Sequence, residues 1–383
     1  MPSRSCSAAI GFIVASAALV PPRCAATGDS FSFAVIADPH LSGGPQSDSG
    51  QKLQQCIDWI NANRTQEDID LVFAIGDLGF GDDGADLQTA KSLLDDLEVP
   101  YVPLIGDNEI QFGDEENFAT LFDPVYQSLA TLASDPNSGL SNWDKAPTQV
   151  WNPQIEDWSY LQNFAFDYGG VHFSCLDWCS RDDDLGEDAD LHDFEGGTWS
   201  WFTDDIAQCP KDKEENIVMM SHNPMFSLRG ILGEILSNGG ALTAAEFAQF
   251  SAFLEDPNHD YGAHVHAAYA GHFHYQGFLP EDADPNRIVL PVPDVPYDPN
   301  LVTDPNLIEI LPLPGYDLHV IGATHLDPVR FELVTVTERE TDFAYTSRSI
   351  VLPEPSTVGL LLAAEALRRR RRRSIRGGGT PNH

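Results

Sequence analysis

The chain has 383 residues, 42% of them hydrophobic and 10% aromatic, which is room for one large domain or two small ones with a core of ordinary bulk. Its formal net charge is −38, from 59 Asp and Glu against 21 Lys and Arg. Nine of the basic residues sit at the two ends (Arg4, Arg23, Arg368 to Arg373 and Arg376), leaving 12 against 59 acids, all of which lie between residues 27 and 367, and such a surface repels nucleic acid, whose binding needs a positive footprint.

The first 26 residues read as a processing segment. Arg4 precedes an apolar run from Ala8 to Val20, and "PPRCAA" follows, with Ala25 and Ala26 as small residues near a cleavage point. A basic start, a short apolar stretch and a small-residue site describe a secretory signal. The run is too short to span a bilayer, so export across the inner membrane is expected, to the periplasm, the cell surface or the medium. Cys6 and Cys24 fall in this segment, and Cys56, Cys175, Cys179 and Cys209 remain in the body. An oxidising compartment permits disulfides, so a local Cys175–Cys179 bridge and buried free thiols both stay open.

Residues 27–350 have the pattern of an α/β domain. "FSFAVIAD" is a buried strand, and "SGQKLQQCIDWINAN" places Leu53, Cys56, Ile57 and Ile60 at a helical period. "IDLVFAIGD", the helix "ADLQTAKSLLDDLE" and the strand "VPYVPLIGDNE" repeat the alternation, which argues for a parallel sheet. From Gln111 to Gln162 runs an insert rich in Pro, Asn and Asp, with Trp143, Trp151 and Trp158, expected as irregular loop with each Trp filling core. "NFAFDYGGVHFSCLDW" reads as a hairpin turning at Gly169-Gly170. "SRDDDLGEDADLHD", Ser180 to Asp193, lacks the EF-hand spacing and reads as a solvated acidic loop. "ENIVMMSHNP" and "HVHAAYAGHFHYQGF" are further strands, and "YDLHVIGATH" and "VRFELVTVTE" are closing ones, with a Pro- and Asp-rich loop at 282–306 between them. His172, His264 and His266 read as structural strand histidines; His325, in "GATH" near a strand end, could approach a site built at the strand ends, but nothing in the sequence shows that it does.

The C-terminal 351–383 ends in "VLPEPSTVGLLLAAEALRRRRRRSIR". Pro353-Glu354-Pro355-Ser356, an apolar segment and six arginines occur in the order of the PEP-CTERM sorting signal of bacterial exported proteins, which this tail resembles. That resemblance implies processing by a membrane-embedded exosortase, with the arginines held on the cytoplasmic side. The tail would be the only part to touch a membrane. It departs from the pattern in its short apolar segment, Val358 to Leu367, which contains Glu365; a spanning helix needs about twenty apolar residues.

The polar strand ends, "DPH", "GD", "GDNE", "SHNP" and "GHFH", supply Asp38, His40, Asp77, Asp107 or Asn108, His222, His272 and His274. In α/β sheets ligands collect at the carboxyl ends of strands. Carboxylates and imidazoles without thiolate suit manganese, iron or zinc, and the set is large enough for two divalent ions. This ordered series, from about Phe31 to Gln276, resembles the calcineurin-like metallophosphoesterase family, whose pattern is D-x-H, G-D, G-N-H-[ED], a lone His and G-H-x-H.

The resemblance implies a four-layer α/β/β/α sandwich, two mixed central sheets flanked by helices. It also implies hydrolysis of a phosphate mono- or diester by a hydroxide that bridges two metals. Asp38, His40 and His274 would then hold one ion, Asp77 both, and Asp107 with His222 and His272 the other, with Asn108 and His222 as catalytic candidates. The departure is at Gly106-Asp107-Asn108-Glu109: Asp107 stands where the family has its Asn ligand, and Asn108 where it has a His. An amide donates a hydrogen bond to a phosphoryl oxygen but cannot act as a general acid, so a surface-anchored binding protein with weak catalysis is the alternative. Phe80 occupies the place of the tyrosine of purple acid phosphatases, so no iron–tyrosinate site is expected.

Overall fold

The computed structural model describes residues 30–81, 84–181, 188–209, 213–225, 228–229, 242–259, 261–274, 276–279, 309–310 and 316–353. Residues 1–29, the 282–306 loop, the centre of the acidic loop and residues 354–383 lie outside them, so the expected signal segment and nearly all of the expected sorting tail fall outside the described residues.

Uninterrupted burial from Phe31 to Ala37 means that β1 (Ser30–Ala37) is covered on both faces. It pairs in parallel with β2 (Ile69–Ile75), and β2 with β3 (Tyr101–Leu104). The crossovers are α1 (Asp48–Asn63), which buries Leu53, Cys56, Ile57 and Ile60 and is capped by the Ser47 hydroxyl, and α2 (Ala85–Leu94). After the short α3 (Asp107–Gln111), the presumed loop proves ordered. It contains α4 (Glu115–Ala133), β4 (Leu140–Lys145) and a hairpin of β5 (Gln149–Asn152) with β6 (Asp157–Tyr160). The expectation of irregular loop was wrong because Phe118, Phe122, Tyr126 and Leu129 lie 4, 4 and 3 residues apart. They form an apolar stripe that tertiary packing rewards despite Pro124 within the helix. Of the three tryptophans, Trp143 stacks against Phe164 in the core, whereas Trp151 and Trp158 are about half exposed, so core filling fails for those two.

β7 (Phe164–Tyr168) and β8 (Val171–Leu176) make the expected hairpin about Gly169-Gly170. α5 (Thr198–Gln208), β9 (Ile217–Ser221), the two-residue β10 (Leu228–Arg229), α6 (Ala244–Leu254) and β11 (Val265–Ala270) follow. The chain closes with β12 (Gly277–Leu279), β13 (Glu309–Ile310), β14 (Asp317–Val320), β15 (Arg330–Glu338) and β16 (Phe343–Val351).

Two mixed sheets result. One has five strands in the order β16-β15-β1-β2-β3, with β15 returning antiparallel to β1. The other has seven in the order β12-β14-β11-β9-β8-β7-β4, parallel in its centre. Phe33 and Phe73 of the first sheet meet Phe173 and Tyr269 of the second edge-to-face or tilted, at centroid distances of 5.1 to 5.7 Å. Behind the second sheet, Trp178, Phe202 and Phe250 form a separate apolar cluster with α5 and α6. Helix, sheet, sheet and helix make the four-layer sandwich of the metallophosphoesterase type. No helix among the described residues is long and apolar enough to cross a membrane.

The cysteines are resolved in favour of free thiols: Cys56, Cys175, Cys179 and Cys209 are all buried and unbridged. Cys175 packs into the core between the sheets, and Cys179 instead donates to Asn223 Oδ1 at 3.2 Å.

Candidate metal centre

All five motif ends arrive at one place because the parallel strands of both sheets point the same way. Asp38 and His40 follow β1, Asp77 follows β2 and Asp107 follows β3; His222 follows β9, and His272 and His274 follow β11. Two donor sets form, Asp38, His40, Asp77 and His274 in one, and Asp107, His222 and His272 in the other, with ligand atoms in each set within 4.8 Å of one another. They adjoin through His222, whose Nε2 is 2.7 Å from Asp107 Oδ1 and 3.3 Å from Asp77 Oδ1.

Tight turns make this convergence possible. Asp38, His40, Asp77, His272 and His274 all have φ between 40° and 70°. They are five of the ten non-glycine residues with left-handed backbone among those described, a conformation that costs energy unless the surroundings hold it. The glycines of the motifs allow close approach: a Cβ on Gly76 would collide with the His222 ring, and one on Gly106 with Asp77 N and Oδ1. Glu109 fixes the Asp77 loop, its carboxylate accepting from the backbone N–H of Gly106 (2.8 Å), Asp77 (3.1 Å), Leu78 (2.8 Å) and Gly79 (3.1 Å).

Several features fit cations. Asp38 is fully buried; Oδ1 accepts from His272 N at 2.9 Å, but Oδ2 has no hydrogen-bond partner, and burial pushes the carboxyl up to about 6. An orphaned buried carboxylate oxygen is costly unless a cation meets it. His222 donates Nδ1–H to Ile75 O at 3.1 Å, which aims Nε2 at Asp107 and Asp77; burial lowers its pKa, but those carboxylates outweigh it and hold the imidazole well above its usual range, a proton that a cation would replace. His40 Nε2 and His274 Nε2 face each other at 2.9 Å, with Asp77 Oδ2 3.1 Å from the former. Burial and the neighbouring imidazoles hold His274 down to about 3, so it is neutral, as a ligand must be. Burial pushes Asp107 upward, but His272 and His222 outweigh it and keep the carboxyl well below the usual range.

The structure separates Asp107 from Asn108. Asp107 Oδ1 lies 2.9 Å from His272 Nδ1, inside the second set, while the Asn108 amide lies 2.9 Å from His40 Nδ1, beside the first. His325 does reach the centre: its ring lies 4.4 Å from that of His40 and 5.0 Å from that of His274, and Nδ1–H donates to Asp38 O at 2.8 Å. Phe80, 47% exposed, tilts over His40 at 5.7 Å and packs on Phe112 at 5.3 Å, forming an apolar wall at the mouth. His264 and His266 stay away; His264 Nδ1–H donates to Lys213 O at 2.8 Å, and His266 stacks on Tyr345 at 3.6 Å.

Sequence reasoning missed a support behind the site. The Arg181 guanidinium, buried, pairs with Asp177 at 2.7 Å and Glu115 at 2.8 Å, tying α4 to the end of β8. Asn163 Oδ1 accepts from Asp177 N at 2.9 Å, and Asn163 Nδ2 donates to Thr198 Oγ1 at 2.9 Å. "DWCSR" gave only a weak signal, a lone basic residue in an acidic stretch.

Comparison with known proteins agrees with this geometry. Residues 31–276, more than half of the chain, match the family model described as Calcineurin-like phosphoesterase. Among solved structures, a purple acid phosphatase from yellow lupin seeds aligns at 13% identity and TM-score 0.39, covering 85% of this chain and 54% of that one. The sulfate thiohydrolase SoxB of Thermus thermophilus aligns at 12% identity and TM-score 0.39, covering 90% and 62%. Vacuolar Protein Sorting 29 from Cryptosporidium parvum aligns at 8% identity and TM-score 0.26, covering 84% and 99%. The chain thus spans about half to three fifths of the length of the first two. None of the curated proteins matches the sequence.

Proposed function

The chain belongs to the calcineurin-like phosphoesterase family, and from that premise we propose that it is an exported hydrolase of a phosphate mono- or diester that works with two divalent ions. The observation that carries this reading is the meeting of the two donor sets beside Asp77, with Asp38 Oδ1 3.6 Å from His274 Nε2 in the first of them. Asp38, His40, Asp77 and His274 would hold one ion, and Asp107, His222 and His272 the other, the donor chemistry suiting manganese, iron or zinc. Bound there, the ions would neutralise phosphoryl charge and acidify water.

The remaining work falls to the chain's own groups. Glu109 and Ile75 O hold the Asp77 turn and the His222 ring in place before substrate arrives, so little reorganisation is needed. Asn108, next to His40, donates an amide hydrogen to a phosphoryl oxygen but no proton to the leaving group, which favours esters of acidic alcohols or phenols. Residues 1–26 and the tail after Pro353 support a place outside the cytoplasm, with exosortase processing of the tail.

The test uses p-nitrophenyl phosphate and its bis ester with the purified chain and added manganese, zinc or iron. Turnover that needs the metal is expected; absence of turnover with every ion, together with no bound metal, overturns the reading. Bound metal with no turnover, and a gain in Asn108→His, would favour the binding-protein alternative. Fractionation of cells producing the full chain should recover it outside the cytoplasm, and cytoplasmic retention overturns the export part.

A further inference from the structure

At the far end of the second sheet, three donors of different chemistry meet. His172 lies near the start of β8, while Asp205 lies on α5 and Cys209 caps it, one helical turn apart. One donor atom from each, an imidazole nitrogen, a carboxylate oxygen and a thiol sulfur, lies within 4.8 Å of the other two. His172 and Cys209 are each 7% exposed, and the Asp205 side chain 8%.

This cluster is remote from the centre described above. β8 runs parallel to β9 with His172 opposite Ile217, and His222 lies one residue beyond the end of β9. Five residues of extended chain put about 16 Å between the two places.

The donors are held in orientation by neighbours. Asp167 Oδ1 lies 2.7 Å from His172 Nδ1, and Asn142 Nδ2 donates to the other Asp167 oxygen at 2.6 Å. Asp167 at Nδ1 orients the ring so that Nε2 faces Asp205 Oδ2 at 3.1 Å, a hydrogen bond whose proton a metal would replace. Ser174 donates to that same Asp205 oxygen at 2.7 Å.

We propose that His172, Asp205 and Cys209 form a separate mononuclear zinc site that clamps the C-terminal end of α5 to β8. Imidazole, carboxylate and thiolate are the donors zinc takes, and three protein ligands leave a fourth position for water. Calcium and magnesium, which need oxygen shells, are excluded by the sulfur and nitrogen. Binding displaces the proton of the Cys209 thiol, and that of His172 Nε2 where it is present, to solvent; no electrons are transferred. The alternative is a metal-free ion pair of His172 with Asp167 and Asp205.

Cobalt(II) distinguishes the two. It occupies zinc sites and gives a thiolate-to-metal charge-transfer band in the near ultraviolet only where sulfur ligates. The set from Asp38 to His274 contains no thiol, so the band is specific to this cluster. The full chain is stripped with a chelator and titrated with Co2+. The band should saturate by about three equivalents per chain, since the two sites of the centre take cobalt as well, at the intensity of one thiolate–cobalt site; it should vanish in Cys209→Ser and need roughly tenfold more cobalt in Asp205→Asn, with phosphoesterase turnover unchanged in both. Absence of the band from the wild type, or its survival in Cys209→Ser, overturns the proposal. Asp205→Asn keeps the side-chain shape and covers the case in which Cys209→Ser does not fold.

Discussion

Asp77 stands between the two donor sets. Its oxygens lie 3.1 Å from His40 Nε2, 3.3 Å from His222 Nε2 and 3.0 Å from the Asn108 N–H that donates to it. Asp77→Asn removes one charge and keeps the shape, so metal retention should fall roughly 10- to 100-fold and turnover by at least as much. Metal analysis after gel filtration and initial rates check both, and an Asn variant with wild-type metal content and rate would remove Asp77 from the mechanism. Gly106→Ala acts through backbone: its methyl collides with Asp77 N and Oδ1, so the β2 and β3 ends must part. A loss of about 1–3 kcal/mol in denaturant unfolding is expected, with turnover falling along with it. The donor residues were open to sequence reading because each stands in a short motif directly after a strand, and the structure brings them into two clusters; their grouping came only from the family resemblance. His325 was only half visible: its partner Asp38 is 287 residues away, and no local pattern encodes such a contact.

Elements divide by how local their cause is. β1, α1, β2, α2 and β3 were legible because each carries its own period and its own stop signal. α4, β4 and the β5–β6 hairpin were not, because acids, Asn and Pro masked a stripe whose value appears only once it packs. Phe122 shows the size of that packing. It is fully buried on α4 and lies 4.7 Å from Phe118. Phe122→Ala should cost about 3–5 kcal/mol, measured by the shift in urea midpoint at unchanged slope; a shift under about 1 kcal/mol would mean that the insert is a detachable appendage. β16 was missed for the opposite reason. Its side chains alternate poorly and many are exposed, and it exists because β15 offers an edge along nine paired residues.

Across the whole molecule, charge and sheet packing set the response to solution conditions. With a formal net charge of −38 the folded chain repels itself, so moderate salt should raise the thermal midpoint, and a flat salt profile would show that the acids are already compensated. Glu332 gives a sharper pH signature. It is 4% exposed on β15, and burial pushes its carboxyl up to about 7, against a weaker opposite pull from the hydrogen bond that Gln276 donates at 3.0 Å. The folded protein therefore holds a proton that the unfolded chain releases near 4.5. Its contribution to stability is complete below about 4.5 and is lost as pH rises through about 7. Glu332→Gln should flatten the stability profile over that window, as urea unfolding at pH 4.5, 6 and 8 would show; an unchanged slope assigns the pH dependence elsewhere.

Each donor set draws from both sheets. Asp38, His40, Asp77 and Asp107 hang from the five-stranded sheet, and His222, His272 and His274 from the seven-stranded one. Cations seated there would act as rivets through two plates. Loading at a hundredfold over Kd would add about 2.7 kcal/mol per site against unfolding. Chelators would then loosen the sandwich as well as silence it, and shelf life and metal content would become one property, tracked by one melting curve.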